Sequence, residues 1–221
     1  MQHKDHWEQV YSTKPTTGVS WFQEHATQSL RLISDASIPL SASILDVGGG
    51  ASTLVDDLLA KGYQSLTVLD ISSAALKAAQ TRLGDNAKKI EWLVGDITSI
   101  ELPDHAYDVW HDRAVFHFLT SPEQRQAYVD RVLRAVKPGG HIIVSTFAED
   151  GPLQCSGLPV MRYSADGLHA EFGNPFELVR HEKEEHRMPS GGVQKFVYCY
   201  CRKQSNRKAA LAKVDSAPLE N

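Results

Sequence analysis

Three cysteines in 221 residues, Cys155, Cys199 and Cys201, are too few and too irregularly placed for a disulfide framework. Their scarcity fits a reduced compartment, and a cytoplasmic protein is the expectation. No metal site is expected, because no cysteine-rich ligand spacing is present. No apolar run is long enough to span a bilayer. The opening, Met1-Gln2-His3-Lys4-Asp5-His6, lacks the apolar core of a secretory signal. Positive charge is not in excess either: 23 Lys and Arg stand against 27 Asp and Glu, a formal net charge of -4. That balance gives no broad attraction to nucleic acid or to an anionic membrane, so neither is expected as a partner. No internal repeat is visible, and the length suits one domain with a sizeable core.

What is present is a regular alternation of short apolar runs and helical patterns. Residues 1–43 read as a helical entry segment, with Trp7, Val10 and Tyr11 on one face. Strands are expected at 44–47, 66–69, 90–94, 107–111 and 141–147. Helices are expected at 53–61, 74–83 and 122–136, the first with Thr53 and Asp56 spaced as a capping box. Lys137-Pro138-Gly139-Gly140 is read as the turn that stops the third helix. Residues 148–163 read as loop, 164–172 as a short helix, and 176–185 with 193–202 as a hairpin. From Lys203 the tail is polar and expected to be disordered. The fold class is therefore α/β: a doubly wound, mostly parallel seven-stranded sheet of Rossmann-like type, ending in an antiparallel hairpin. The domain proper spans residues 44–202.

The informative stretch is Ile44-Leu45-Asp46-Val47-Gly48-Gly49-Gly50-Ala51-Ser52. A strand ends in a carboxylate, breaks into glycines and enters a helix. The second strand ends in Asp70, twenty residues after Gly50, and the third is followed by Asp96. A carboxylate in the Asp70 position can accept from both hydroxyls of a ribose. A dinucleotide fingerprint would need a third glycine where Thr53 stands, and no hydride-transfer signature accompanies it.

The ordered set ILDVGGG, VLDIS, GDIT and LRAVKPGGHIIVSTF resembles the class I S-adenosylmethionine-dependent methyltransferases over roughly residues 40–202. The resemblance implies that Gly48, Gly49 and Gly50 let the backbone approach the cofactor. It implies that Asp46 orients the amino-acid end, Asp70 and Ile71 the ribose, and Asp96 and Ile97 the adenine. The Trp7, Tyr11 and Trp21 pattern resembles a branch that includes some protein-lysine methyltransferases, where the aromatic segment folds over the cofactor. Trp21 is accordingly placed among the cofactor-binding residues.

The fourth strand ends in Trp110-His111-Asp112-Arg113-Ala114-Val115-Phe116-His117, which resembles the W-D-R-G/A stretch of thiopurine-type small-molecule methyltransferases. It lacks the D/N-P-P-Y pattern of enzymes acting on nucleic-acid amino groups. Methyl transfer is an in-line displacement, so positioning and water exclusion dominate. An ionisable thiol or selenol needs little help, whereas an amine or hydroxyl needs a general base. His111 and His117 are the candidate bases, with Asp112 as orienting partner. His111 is also expected to touch cofactor through its backbone, and Arg113 to pair with Asp112. Convergence of Cys155 with the Cys199–Cys201 strand on a soft metalloid is the alternative to buried apolar thiols, which are the preferred reading. The expected activity is methyl transfer to a small-molecule nucleophile with an S, Se/Te, N or O acceptor. Protein-lysine methylation is the alternative, and a non-catalytic cofactor-binding protein the different-class alternative.

Overall fold

The computed structural model describes residues 2–205. Two helices, α1 (Gln2–Thr13) and α2 (Thr27–Asp35), precede the sheet. Then β1 (Ser43–Val47), α3 (Leu54–Ala60), β2 (Ser65–Asp70), α4 (Ser73–Leu83) and β3 (Ile90–Val94) alternate. The second half runs β4 (Tyr107–Arg113), α5 (Pro122–Ala135) and β5 (Val136–Phe147). A small pairing of β6 (Gln154–Cys155) with β7 (Leu158–Pro159) follows. The chain closes with α6 (Ala165–Phe172), β8 (Phe176–Arg187) and β9 (Val193–Lys203).

The seven-stranded sheet has the order β3-β2-β1-β4-β5-β9-β8. The first five strands are mutually parallel, and β9 pairs antiparallel with both β5 and β8. This is a doubly wound, Rossmann-like sheet extended at one edge by an antiparallel hairpin. Period-two alternation sorts the core into two halves. Trp110, Ile142, Val144 and Cys199 face α5 and α6. Val109, Ile143, Val68 and Tyr198 face α2, α3 and α4.

Local chemistry explains most boundaries. Ser121 and Gln124 form a capping box at the start of α5, with Pro122 in its first turn. Ser72 caps α4 by accepting the Ala75 amide. The capping box expected at Thr53 and Asp56 does not form. The Thr53 hydroxyl instead donates to the Gln23 carbonyl at 3.0 Å, tying α3 to the entry segment. The helix α5 ends at Ala135, and Lys137-Pro138-Gly139-Gly140 lies inside β5 rather than in a separate turn. Gly139 at φ +79° and the register shift between Tyr107 and Val109 absorb the irregularity. The loop expected at 148–163 contains the β6–β7 pairing. Lys203 belongs to β9: its ammonium donates to the Leu133 and Val136 carbonyls at 2.5 and 2.7 Å. The remaining tail expectation, residues 206–221, lies outside the described residues. No helix of the described residues is long and apolar enough to cross a membrane.

One buried polar knot holds α5 to the sheet. Tyr128 donates to Asp112 Oδ2 at 2.6 Å and accepts from Trp110 Nε1 at 2.8 Å. Tyr128→Phe would leave the indole N–H without an acceptor. It is expected to lose about 1–3 kcal/mol of unfolding free energy, read by urea denaturation.

Candidate active site

In the sheet order β1 and β4 are neighbours, and the chain winds outward from them in opposite directions. A crevice opens at their carboxyl ends for that reason. It has two lobes. The larger has an empty volume of ≈ 940 Å³, mouth included, and runs past Asp70 and Asp96 to Phe118 and Cys155. The smaller, ≈ 580 Å³, is bounded by Asp46, Gly49, Ser29 and His111. Tyr11, Trp21, Val47, Gly48 and Arg113 line both.

The glycine loop has specific steric work. Gly48 sits at φ +67°, and an added Cβ would collide with the Val115 side chain. At Gly49 a Cβ would stand 2.5 Å from Asp46 Oδ2 and 2.7 Å from Val68 Cγ1. Gly50 makes room in the same way for the Asp70 carboxylate, 2.5 Å from where its Cβ would be. The loop thus lets two buried carboxylates sit directly beneath backbone.

Asp70 accepts the Ser72 amide at 2.8 Å and is 7% exposed. Burial pushes its carboxyl up to about 7; the amide opposes the shift, and the charges of Asp46 and Glu8 add to it. Asp96 takes the Thr98 amide and hydroxyl on Oδ1 at 2.9 and 2.7 Å. Ile71 and Ile97 line the larger lobe beside these carboxylates.

The helix α1 forms a roof. His3, Trp7 and Tyr11, spaced four apart, present one face to the larger lobe. Trp7 packs edge-on against Trp21 and Phe118 at 5.6 and 5.3 Å between ring centroids. Trp21 Nε1 donates to the Tyr11 hydroxyl at 3.2 Å. One flank of the roof is fixed by Glu8, whose carboxylate accepts the Ser73 and Ala74 amides at 2.7 and 3.0 Å at the start of α4. The Ser72 and Ser73 hydroxyls donate to it as well. On the other flank His6 Nε2 lies 3.4 Å from Ser156 Oγ.

Several sequence expectations are corrected here. Asp112 does not orient His111, because neighbouring strand residues point to opposite faces. Both Asp112 oxygens are spent inside the core, on Tyr128 and on the Val115 and Phe116 amides. Burial raises that carboxyl to about 6. The partner of His111 is Asp46: Nδ1–H donates to Oδ1 at 2.7 Å across the β1–β4 register. Its Nε2 accepts the Ser29 hydroxyl at 2.8 Å. Arg113 does not pair with Asp112 either; its Nε donates to Glu184 and to the Tyr198 hydroxyl, both at 3.2 Å. His117 is buried behind the crevice wall: it does not line the crevice, but its ring packs edge-on against that of Phe118, which does, at 4.5 Å. Its Nδ1 accepts the Phe147 amide at 3.4 Å, and burial, with Arg113 nearby, drives its pKa down to about 3. The cysteines are free and buried, as the preferred reading has them, and do not converge. Cys155 packs on the crevice side of the sheet, while Cys199 and Cys201 pack on the opposite face, 3.2 Å apart at sulfur. Burial holds the Cys155 thiol up at about 12.

Sequence reasoning missed Ser29, Glu8, Glu184 and His3. The spacing His3, Trp7, Tyr11 was the available signal for His3, whose Nδ1 has no partner among the described residues. Nothing local marks Ser29 or Glu184, which arrive through packing of α2 and β8.

Residues 44–140 match the methyltransferase domain family. A lysine and N-terminal methyltransferase of eEF1A from Mus musculus is 26% identical over 151 residues, which is 66% of this chain and 21% of the mouse protein. The chain therefore spans about a fifth of that relative's length. EEF1A lysine methyltransferase 2 of Homo sapiens is 24% identical over 190 residues, covering 80% of this chain and 75% of the human protein. A solved structure from work on the conversion of a disulfide bond into a thioacetal group during echinomycin biosynthesis superimposes with TM-score 0.75. It is 17% identical and covers 98% of this chain and 100% of its own, a likeness of fold. Residues 44–140 thus match a methyltransferase domain, within a fold of the kind seen in S-adenosylmethionine-dependent methyltransferases.

Asp70 supplies a pH-dependent test. Its raised native pKa means that between about pH 4 and 7 the folded state holds a proton the unfolded chain has released. Stability therefore falls as pH rises through that window. Asp70→Asn should stabilise the ligand-free protein by on the order of a few kcal/mol above pH 7, with the difference vanishing below pH 4, read by denaturation across pH.

Proposed function

We propose that this protein transfers the methyl group of S-adenosylmethionine to a small-molecule nucleophile. The observation that carries this reading is the aromatic roof. Helix α1 is fixed on both rims, at Glu8 and at His6, and lays Trp7 and Tyr11 over the crevice. Such a covered, largely apolar chamber suits a compact acceptor and excludes water from the reacting atoms.

The chain's residues fit the cofactor. The glycine loop admits no Cβ without collision with Val115, Asp46 or Asp70, which keeps its backbone bare, and Asp46 Oδ2 is a buried acceptor without a partner among the described residues. Asp46 Oδ2 suits the cofactor's ammonium, Asp70 with Ile71 the ribose hydroxyls, and Asp96 with Ile97 the adenine. Trp21 and Tyr11, at the junction of the two lobes, suit the region around the sulfonium. When bound, S-adenosylmethionine supplies an electrophilic methyl group.

The base candidates narrow the acceptor. Both ring nitrogens of His111 and both oxygens of Asp112 are engaged internally, and His117 does not line the crevice. Among the described residues the imidazole on the larger lobe is His3. A soft nucleophile that is already ionised near neutral pH, such as a thiol or selenol, would need none of them. The names of the mouse and human relatives favour protein lysine as a second reading.

Calorimetry first tests binding of S-adenosylhomocysteine; Asp70→Ala should weaken it at least tenfold while the fold persists. Labelled methyl transfer from S-adenosylmethionine then separates the readings. Label in small thiols, selenite or tellurite supports the proposal, and label confined to precipitable protein supports lysine methylation. Binding without transfer to any acceptor would make the protein a non-catalytic cofactor binder.

A further inference from the structure

The sheet face opposite the crevice carries a pair of nucleophilic groups that methyl transfer does not use. Cys199 and Cys201 stand two residues apart on β9, so the pleat sends both thiols to the same side. Each is 1% exposed, and their sulfurs are 3.2 Å apart. Both are free, in the apolar cluster that holds Leu168 and Phe172 of α6. A polar group stands beside them. In the β8–β9 register His181 is the partner of Cys199, and partners in an antiparallel ladder share a face with Cβ atoms about 4.5–5.5 Å apart. His181 Nε2 is buried and has no hydrogen-bond partner among the described residues. Its Nδ1 lies 4.0 Å from Asp166 Oδ1 of α6, a carboxylate in open solvent. The ring thus links the thiol pair to the surface.

The spacing admits a covalent bond. Two residues along a strand advance about 6.6 Å. Disulfides span Cα separations of up to about 6.8 Å, so a bridge here lies at the upper end of their range. From 3.2 Å the sulfurs need approach by only about 1 Å to reach bonding distance. A bridge stretched in this way is readily reduced again. The cover over the pair is light. Helix α6, eight residues long, packs against β8 and β9, and local opening of so short an element admits a molecule as small as a peroxide.

We propose that Cys199 and Cys201 are an oxidation site that closes reversibly into a disulfide, with a peroxide as the oxidant and His181 as the base. The site is separate from the crevice and does not rest on the methyl-transfer reading. The Cys199 thiol gives its proton to His181 Nε2, because the thiolate is the nucleophile. The thiolate attacks one oxygen of hydrogen peroxide, and the O–O bond breaks. The leaving hydroxide takes the proton from His181 and becomes water, and Cys199 is left as a sulfenic acid. The Cys201 sulfur attacks that sulfur: the S–S bond forms, the S–O bond breaks, and hydroxide leaves with the Cys201 proton as a second water. Two thiols and one peroxide thus give one disulfide and two waters, each sulfur losing one electron. A dithiol reverses the reaction by exchange.

The test treats the folded wild-type protein with a small molar excess of hydrogen peroxide and then removes it. The chain is unfolded in guanidinium chloride, alkylated and cut with trypsin, and the cysteine peptides are weighed. Residues 196–202, between Lys195 and Arg202, form one peptide that carries both cysteines. Without peroxide it should take two alkyl groups. After peroxide it should take none and weigh two hydrogens less, and dithiothreitol should restore both sites. The Cys155 peptide should take its single alkyl group throughout. Two alkyl groups on peptide 196–202 after treatment would overturn the proposal, as would added oxygen in place of lost hydrogen, or a bridge to Cys155 or to another chain. His181→Asn should slow closure on the order of 100-fold and leave the end point unchanged. An unchanged rate would overturn the role of His181 as base. The wild-type measurement decides the bridge itself, whether or not that variant folds.

Discussion

The hydrogen bond between Asp46 and His111 is the constraint on which the site depends. It joins the ends of β1 and β4, the two strands between which the crevice opens. A carboxylate 4% exposed at that point must be satisfied from inside the protein. The imidazole satisfies one oxygen only. The remaining oxygen lies against Gly49, at a position where no side chain fits. The glycine loop, the buried charge and the shape of the smaller lobe are therefore consequences of one arrangement.

The same logic spreads outward through α2 and the final hairpin. Ser29 holds the far side of His111, and Glu184 and Tyr198 on β8 and β9 hold Arg113. Gln23 donates to Glu184 Oε1 at 2.6 Å, so the entry segment joins the network. An antiparallel hairpin added to a parallel sheet is thus more than an edge cover: it supplies counter-charge to the crevice. On the other sheet face, Asp112, Tyr128 and Trp110 form a separate knot whose work is to fix α5. Adjacent residues of one strand, His111 and Asp112, serve two unrelated polar clusters because the pleat sends them apart.

The roof is tied to the floor by charge at a helix terminus. Glu8 meets the free amides at the start of α4. That contact sets the register of α1, and with it which aromatic rings cover the larger lobe. Asp70 lies within electrostatic reach of both Glu8 and Asp46. Their mutual repulsion helps raise the Asp70 pKa.

The strand positions, the glycine loop and the three carboxylates Asp46, Asp70 and Asp96 were legible in the sequence. Each is written in a local pattern: an apolar run of strand length, a positive-φ turn, an acidic residue at a strand end. The helix starts at Ser72 and Ser121 were legible for the same reason. The Thr53 cap was misread because a neighbouring carbonyl, that of Gln23, competes for the hydroxyl. The end of α5 was misplaced because β5 continues through a glycine irregularity that local propensity reads as a turn. The side-chain partnerships lay beyond local reading altogether. His111 with Asp46 spans 65 positions, His111 with Ser29 spans 82, and Arg113 with Glu184 spans 71. Sequence proximity suggested Asp112 for both His111 and Arg113, and the pleat forbids it. The sequence by itself determined which residue types stand at the carboxyl edge of the sheet. Only the tertiary structure decided which of their atoms are consumed by the protein and which are left for a ligand, because burial and long-range pairing set that balance.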